Sequence, residues 1–264
     1  MEYALSIFIA NLAAVMAMMF AVWLFSLLKR DASIVDVFWG MGFVFVAWLT
    51  FLKADGYLGR KVLITVLTTL WGLRLALYIC IRNWGHGEDS RYQAWRAQYG
   101  ARFWWVSLFT VFGLQGVLLW TISLTLQVGQ ISAIPAKLVM LDLLGMIIWA
   151  VGFIFEAVAD WQLYRFKAVP ENKGKVMNKG LWAYSRHPNY FGESLVWWGL
   201  FIITLATPGS TWVVISPLLI TFLLVKVSGV TLLEKTIVDS RPEYADYIKS
   251  TSSFIPWFPR KEKP

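Results

Sequence analysis

Ala4-Leu-Ser-Ile-Phe-Ile-Ala-Asn-Leu-Ala-Ala-Val-Met-Ala-Met-Met-Phe-Ala-Val-Trp-Leu-Phe-Ser-Leu-Leu28 contains no charged side chain, and Lys29-Arg30 closes it. An α-helix needs about 20 mostly apolar residues to cross the hydrocarbon of a bilayer, and this stretch exceeds that length. The preceding Met-Glu-Tyr offers no basic segment and no clear cleavage site follows, so the stretch reads as a first membrane span rather than a signal peptide. Six further segments satisfy the same rule: Ile34–Leu52, Val62–Ile81, Val106–Val128, Leu138–Leu163, Phe191–Ala206 and Trp212–Leu233. No periodic repeat or low-complexity tract interrupts them. The expected fold is all-α, a polytopic membrane helical bundle of about seven transmembrane helices, forming a single membrane domain over residues 1–264.

Composition agrees with lipid as the solvent. Of 264 residues, 58% are hydrophobic and only 15% charged, and the mean hydropathy is +0.58. A soluble domain has about a quarter of its residues charged and no single core large enough for this much apolar surface. Sixteen Trp, ten Tyr and eighteen Phe suit aromatic belts at the bilayer interfaces. The net charge of +8 does not imply nucleic acid, because its Lys and Arg sit in short loops between apolar spans. Lys29-Arg30, Arg82–Arg102, Arg165–Arg186 and the tail Arg241–Lys263 fall on one side when seven spans are threaded, whereas Gly129–Lys137 and Thr207–Thr211 fall on the other. Lys53, Arg60 and Lys61 dissent. The positive-inside rule then gives an integral membrane protein, expected in a bacterial inner membrane, with its N-terminus out and its C-terminus cytoplasmic. The one cysteine, Cys80, excludes an internal disulfide, and His86 and His187 are too few for a histidine metal centre.

Several polar residues resist the membrane explanation. Asp36 opens the second span in Ser33-Ile-Val-Asp-Val-Phe-Trp-Gly40, where a buried acid costs roughly 2.5–3.5 kcal/mol on insertion scales. It is either functional or an interfacial carboxylate paired with Lys29 or Arg30. Arg74 and Tyr78 share one face of the third span and line a polar cavity unless the arginine snorkels. Glu156 and Asp160 lie one turn apart, followed by Gln162, Arg165 and Lys167. Paired acids at that spacing suit ribose hydroxyls, a cation or an ion-pair network, although a solvated helix end is the plain alternative. Next, Lys173, Lys175, Lys179 and Arg186 supply positive charge, and Gly174 and Gly180 permit close backbone approach, as a phosphate-binding surface requires, although a solvated basic loop is the plain alternative. Pro188 is expected to open the sixth helix, with Asn189 and Glu193 on its first turns. Lys226 and Glu234 bracket the end of the last span. The aromatic, proline-containing tail is either a lid over the cytoplasmic mouth or a membrane anchor.

Gly180-Leu-Trp-Ala-Tyr-Ser-Arg-His-Pro-Asn-Tyr-Phe-Gly-Glu193, with Glu234-Lys235 and Phe254-Ile-Pro-Trp-Phe-Pro259, resembles the DUF1295 family. That family is similar to the C-terminal domain of steroid 5α-reductases and, more distantly, to sterol C14-reductases. The likeness extends upstream through Glu156-Ala-Val-Ala-Asp-Trp-Gln-Leu-Tyr-Arg-Phe-Lys167 and covers about the last 110 residues. It implies NADPH held by residues 138–264, with residues 1–105 forming the substrate side. Asp160 would hold the adenosine ribose, Lys167 and Arg186 would face phosphates, and Asn189 and Glu193 would bind the nicotinamide carboxamide. Lys226, Glu234 and Tyr247 fall near the family's last cofactor residues. Arg74, Glu156, Lys173, Trp182, Ser185, His187 and Tyr190 complete the expected cofactor-binding set.

Arg74-Leu-Ala-Leu-Tyr78 resembles the steroid reductases' Arg-x-x-x-Tyr, whose tyrosine donates a hydrogen bond to an enone carbonyl. Their supporting Gln-Glu pair is replaced here by Val35-Asp36. The resemblance therefore implies reduction of an activated C=C bond in a lipidic enone, a 3-oxo-Δ4-steroid or related lipid entering from the bilayer. Tyr78 and Asp36 are the expected catalytic residues, with Asp36 orienting Tyr78. Two rivals stand beside it. Isoprenylcysteine and phospholipid methyltransferases using S-adenosylmethionine share an Arg-His-Pro-x-Tyr-x-Gly segment, but they carry Glu-Glu where this chain has Glu234-Lys235. A non-enzymatic lipid-binding or transport protein is the other, although the inverted repeats usual in transporters are not visible.

Overall fold

The computed structural model describes residues 2–227 and 243–260, and no strand occurs among them. Five helical stretches are long and apolar enough to cross a membrane. They are α1 (Glu2–Lys29), α2 (Ile34–Lys53), α3 (Leu58–Asn83), the composite run Ser90–Ile131, and α8 (Met140–Lys167). The composite run comprises α4 (Ser90–Tyr99), a 3-10 turn, α5 (Phe103–Ser107), a π-helical stretch (Leu108–Gly113), α6 (Leu114–Ile122) and α7 (Leu124–Ile131).

The two remaining expected spans are shorter. One is α9, 17 residues from Pro188 to Thr204, opened by the proline as the sequence indicates. The other is the apolar stretch Thr211–Val227, with α10 (Ile215–Phe222) leading into a π-helix (Leu223–Val227). The rest of its expected range lies outside the described residues, as does Glu234. A short helix, α11 (Tyr244–Ser250), precedes the tail.

Helix faces are sorted for lipid. On α1, Asn11 and Ser26 are buried while Leu5, Ile9, Phe20 and Leu24 are exposed. On α8, Asp142, Glu156 and Asp160 are buried while Leu143, Ile147, Val151 and Ile154 are exposed. Water would reverse that arrangement, whereas hydrocarbon favours it.

The chain forms two compact units, Met1–Asp142 with Ile203–Ser216, and Leu143–Ile202 with Pro217–Pro264. In the first, α2 and α3 touch backbone to backbone: a Cβ on Gly40 would stand 2.6 Å from the Gly72 carbonyl oxygen, and one on Gly72 would stand 2.6 Å from that of Gly40. Small residues allow the close approach that drives helix association where apolar burial gives no net gain. Asn11 Nδ2 donates to Thr50 Oγ1 (2.8 Å) and Gln127 Oε1 (3.0 Å), tying α1 to α2 and α7. Arg60, wholly buried, meets Asp142 through Nε–Oδ1 (2.8 Å) and Nη2–Oδ2 (3.0 Å), and also donates to the Lys137 carbonyl (3.2 Å). This pairing explains why Arg60 stands outside the loop-charge pattern: a carboxylate has already neutralised it.

In the second unit, α8 and α9 meet along a glycine seam. A Cβ on Gly152 would lie 2.6 Å from the Gly192 carbonyl oxygen, one on Gly192 2.5 Å from the Glu156 amide nitrogen, and one on Gly199 2.7 Å from the Gly145 carbonyl oxygen. Each obstacle is backbone, so neither helix can yield without moving apart.

Two stability outcomes are expected. Asp142→Ala leaves the buried Arg60 charge uncompensated and lowers stability by about 3–5 kcal/mol, read as unfolding of the purified protein in detergent. Gly192→Ala overpacks the seam, costs about 1–3 kcal/mol and is read in the same assay. An unchanged Gly192→Ala midpoint would show that the seam is not tightly closed.

Candidate functional site

The glycine seam brings the polar faces of α8 and α9 together. Asn189 Nδ2 donates to Asp160 Oδ1 (3.1 Å), joining the residue after the helix-opening proline to the acid at the far end of α8. Glu156, Asp160 and Glu193 are all buried, at 2%, 3% and 8% exposure. Three carboxylates in one lipid-facing unit are costly unless they serve a purpose. The Asn189 Oδ1 atom is itself buried and has no hydrogen-bond partner among the described residues. It offers an acceptor to a carboxamide N–H.

The motif between the two helices is held from both sides. Trp182 Nε1 donates to the Ala159 carbonyl (3.1 Å), and the Leu181 amide donates to Gln162 Oε1 (3.0 Å), fixing the segment to α8. Gly180 adopts φ 62°, where a Cβ would strike the Gln162 side chain at 2.5 Å. From the other side, the tail closes down. Ser185 Oγ donates to the Phe254 carbonyl (2.8 Å), the Trp257 amide to the Tyr184 carbonyl (2.9 Å), and the Arg186 amide to the Ser252 carbonyl (2.9 Å). Tyr247 donates its hydroxyl to the Trp182 carbonyl. The Arg186 guanidinium, expected to face a phosphate, is buried and donates through Nη1 to the carbonyls of Ile248 and Thr251. Trp182, Ser185, Arg186 and Tyr247 thus form a clasp between motif and tail. His187, buried, stacks on Tyr190 with ring centroids 5.5 Å apart.

Positive charge collects beyond the end of α8. Lys167, Lys173 and Lys175 line a cavity of about 290 Å³ floored by Leu163, Phe166 and Met177. Gly174, at φ 85°, turns the chain between the last two lysines. Lys226 is exposed on the π-helix.

The expected catalytic residues sit in the first unit, and their pairing differs from expectation. The sequence pairs Asp36 with Tyr78. In the structure, Asp36 Oδ1 accepts from the Tyr92 hydroxyl (2.7 Å) and Oδ2 from Arg91 Nη2 (2.7 Å). Gln115 Nε2 donates to the Tyr92 oxygen at 3.3 Å, and Tyr92 is 4% exposed. Asp36 therefore anchors α4 to α2. Tyr78, half-buried, has the Arg74 guanidinium 6.0 Å and the Arg82 guanidinium 5.9 Å from its ring, one turn away on either side.

The loop before α4 completes this anchor. Asp89 caps α4, accepting from the Arg91 amide (3.0 Å) and Arg91 Nε (2.9 Å). Glu88 accepts from Arg96 Nε (2.9 Å), Arg96 Nη2 (2.7 Å) and the Ala32 amide (2.7 Å). Burial opposes ionisation of Glu88, but the Arg96 and Ala32 hydrogen bonds and the Arg96 charge outweigh it and hold the carboxyl below its ordinary value. Burial is likewise outweighed at Asp89, by Arg91. Sequence reasoning treated residues 82–102 as loop charge and missed Glu88, Asp89, Arg91, Tyr92, Arg96 and Gln115. The available signal was Asp89-Ser90 as a helix cap followed at once by Arg91-Tyr92.

The family model described as "Protein of unknown function (DUF1295)" matches residues 22–251. Neither the curated proteins nor the solved structures contain a match to the chain.

A carboxyl whose value is depressed on folding adds stability above its ordinary value and loses it as pH falls through the lowered one. Docking of α4 should therefore hold from neutral pH down to the ordinary glutamate value of 4.5 and weaken below it. Fluorescence of Trp95 on α4, followed during acid titration, reads this, and Glu88→Gln should flatten the acid limb. An acid limb identical in that variant refutes the assignment.

Proposed function

The chain belongs to the DUF1295 family, and from that membership together with the lysine-lined cavity beside α8 we propose that it is a membrane-embedded, NADPH-dependent reductase of an activated C=C bond in a lipidic enone. The observation that carries this reading is the charge of the cavity, where Lys167, Lys173 and Lys175 converge. Three cations in one small cavity suit a phosphorylated ligand. S-Adenosylmethionine brings no phosphate to this cavity, so the methyltransferase reading is the weaker one. The buried, unpartnered Asn189 Oδ1 beside Asp160 fits the same ligand, since nicotinamide brings a carboxamide donor and ribose brings hydroxyls.

In this reading Asp160 and Glu156 accept from ribose hydroxyls, Asn189 and Glu193 hold the carboxamide, and the lysines take the phosphates. The clasp of Tyr247, Ser185 and Arg186 keeps the motif in place and excludes water. When bound, NADPH supplies the hydride that the β-carbon of the enone receives. Tyr78 donates a hydrogen bond to the carbonyl oxygen, where negative charge develops. A donor at that point contributes about 2.7–4 kcal/mol in a site closed to water. Arg74 and Arg82, on either side of the ring, favour negative charge there. Asp36 acts by holding α4 through Tyr92 and Arg91. The substrate, a 3-oxo-Δ4-steroid or related lipid, reaches the early spans from the bilayer, and the lysine-rich loops face the cytoplasm.

Thermal shift of the purified protein tests the reading. NADPH should stabilise it more than NADH does, and Lys167→Ala combined with Lys173→Ala should erase that difference. Stabilisation by S-adenosylmethionine alone would sink the proposal. With an enone substrate, Tyr78→Phe should reduce turnover by roughly 10²-fold or more while leaving NADPH affinity nearly unchanged. Full activity in that variant would remove Tyr78 from the catalytic role.

A further inference from the structure

The end of α1 is built in an unusual way. The Asp31 amide donates to the Ser26 carbonyl (3.0 Å) and the Arg30 amide to the Leu27 carbonyl (3.3 Å). That pair of bonds is the Schellman turn, whose left-handed position is normally glycine because a Cβ there is strained. Here the position is held by Arg30, at φ 54°, the only non-glycine residue with positive φ among those described. A residue kept at a site that disfavours its backbone conformation calls for a reason beyond turning the chain.

Its surroundings supply one. Arg30 lines a cavity of about 340 Å³ within the first unit, together with Arg96, Ser26, Ser107, Phe103 and Trp104. No described residue bonds or pairs with the Arg30 guanidinium. Arg96 gives Nε and Nη2 to Glu88 and keeps Nη1 for another acceptor. The nearby carboxylates are engaged elsewhere: Glu88 also accepts the Ala32 amide, and Asp31 accepts the amide and hydroxyl of Ser33. The Ser26 and Ser107 hydroxyls donate to the carbonyls of Trp23 and Trp104, so toward the cavity they offer lone pairs. They are acceptors for a hydroxyl.

The level of the cavity narrows the ligand. Lys29 ends a membrane-spanning helix, and Trp104 and Trp105 are exposed beside it at 56% and 44%. Arginine and tryptophan at the end of a span mark the zone where acyl chains give way to headgroups. Two guanidinium groups match the oxygens of a phosphate, and the two serine oxygens match a headgroup hydroxyl.

We propose that this cavity binds the phosphate of a membrane phospholipid, with Arg30 and Arg96 as donors and Ser26 and Ser107 accepting from the headgroup. The site is independent of the reductase reading.

The test uses the whole chain in detergent micelles and three probes: phosphatidylglycerol, diacylglycerol with the same acyl chains, and inorganic phosphate. Phosphatidylglycerol alone should raise the unfolding midpoint. Arg30→Gly removes the guanidinium and relieves the backbone, so the lipid-free midpoint should not fall, while phosphatidylglycerol binding weakens by about tenfold or more. Arg30→Lys should retain more of the lipid response than Arg30→Gly. Equal stabilisation by diacylglycerol would rule out phosphate recognition, and an equal response to inorganic phosphate would reassign the site to the free ion. Unaltered lipid affinity in Arg30→Gly overturns the proposal.

Discussion

Backbone contact at glycine is the constraint from which the second unit follows. Inside a bilayer, lipid tails are as apolar as leucine, so helices gain little by hiding apolar faces from one another. They associate through close packing and a few polar bonds. Gly152 against Gly192 and Gly145 against Gly199 bring α8 and α9 to backbone distance. At that separation the carboxylates of Glu156 and Asp160 stand across from the first turns of α9, and Asn189 reaches Asp160 directly. Bulkier residues in the seam would leave the same polar side chains too far apart to form one site. In the first unit, Gly40 and Gly72 bring α2 and α3 together by the same means.

In the first unit, several charged side chains meet a partner of opposite sign. Arg60 meets Asp142, Asp36 meets Arg91, and Glu88 meets Arg96. The first two pairs join segments 82 and 55 positions apart and work as latches as well as neutralisers, whereas Glu88 and Arg96 are eight positions apart. For the buried Arg60–Asp142 pair, replacing one member is far more damaging than replacing both, because the surviving charge has no solvent to turn to.

Much of this was legible in the sequence, and the illegible part has a physical reason. Apolar length alone located α1, α2, α3 and α8, because hydrocarbon thickness leaves little freedom. The likeness of Gly180–Glu193 to DUF1295 identified the family, and Pro188 marked the start of α9. The partner of Asp36 was not legible. Tyr92 lies 56 positions away on a helix that looked like basic loop, and nothing in local periodicity links the two. Arg186 illustrates the same limit. An arginine in a glycine- and lysine-rich segment reads as a phosphate ligand, and nothing local indicates that it donates to two tail carbonyls more than 60 positions on. Composition reveals that a charge is present, whereas long-range packing decides what it touches.

The clasp between motif and tail also has a temporal side. The carbonyls that receive Arg186 are 62 and 65 residues downstream, and the one that receives Ser185 is 69 downstream. During synthesis the helices of the second unit can enter the bilayer long before those acceptors leave the ribosome. Through that interval the arginine lacks both of the tail carbonyls it donates to in the folded chain. The motif is therefore finished only by the end of the chain, because the acceptors that hold its serine and arginine are the last to be made.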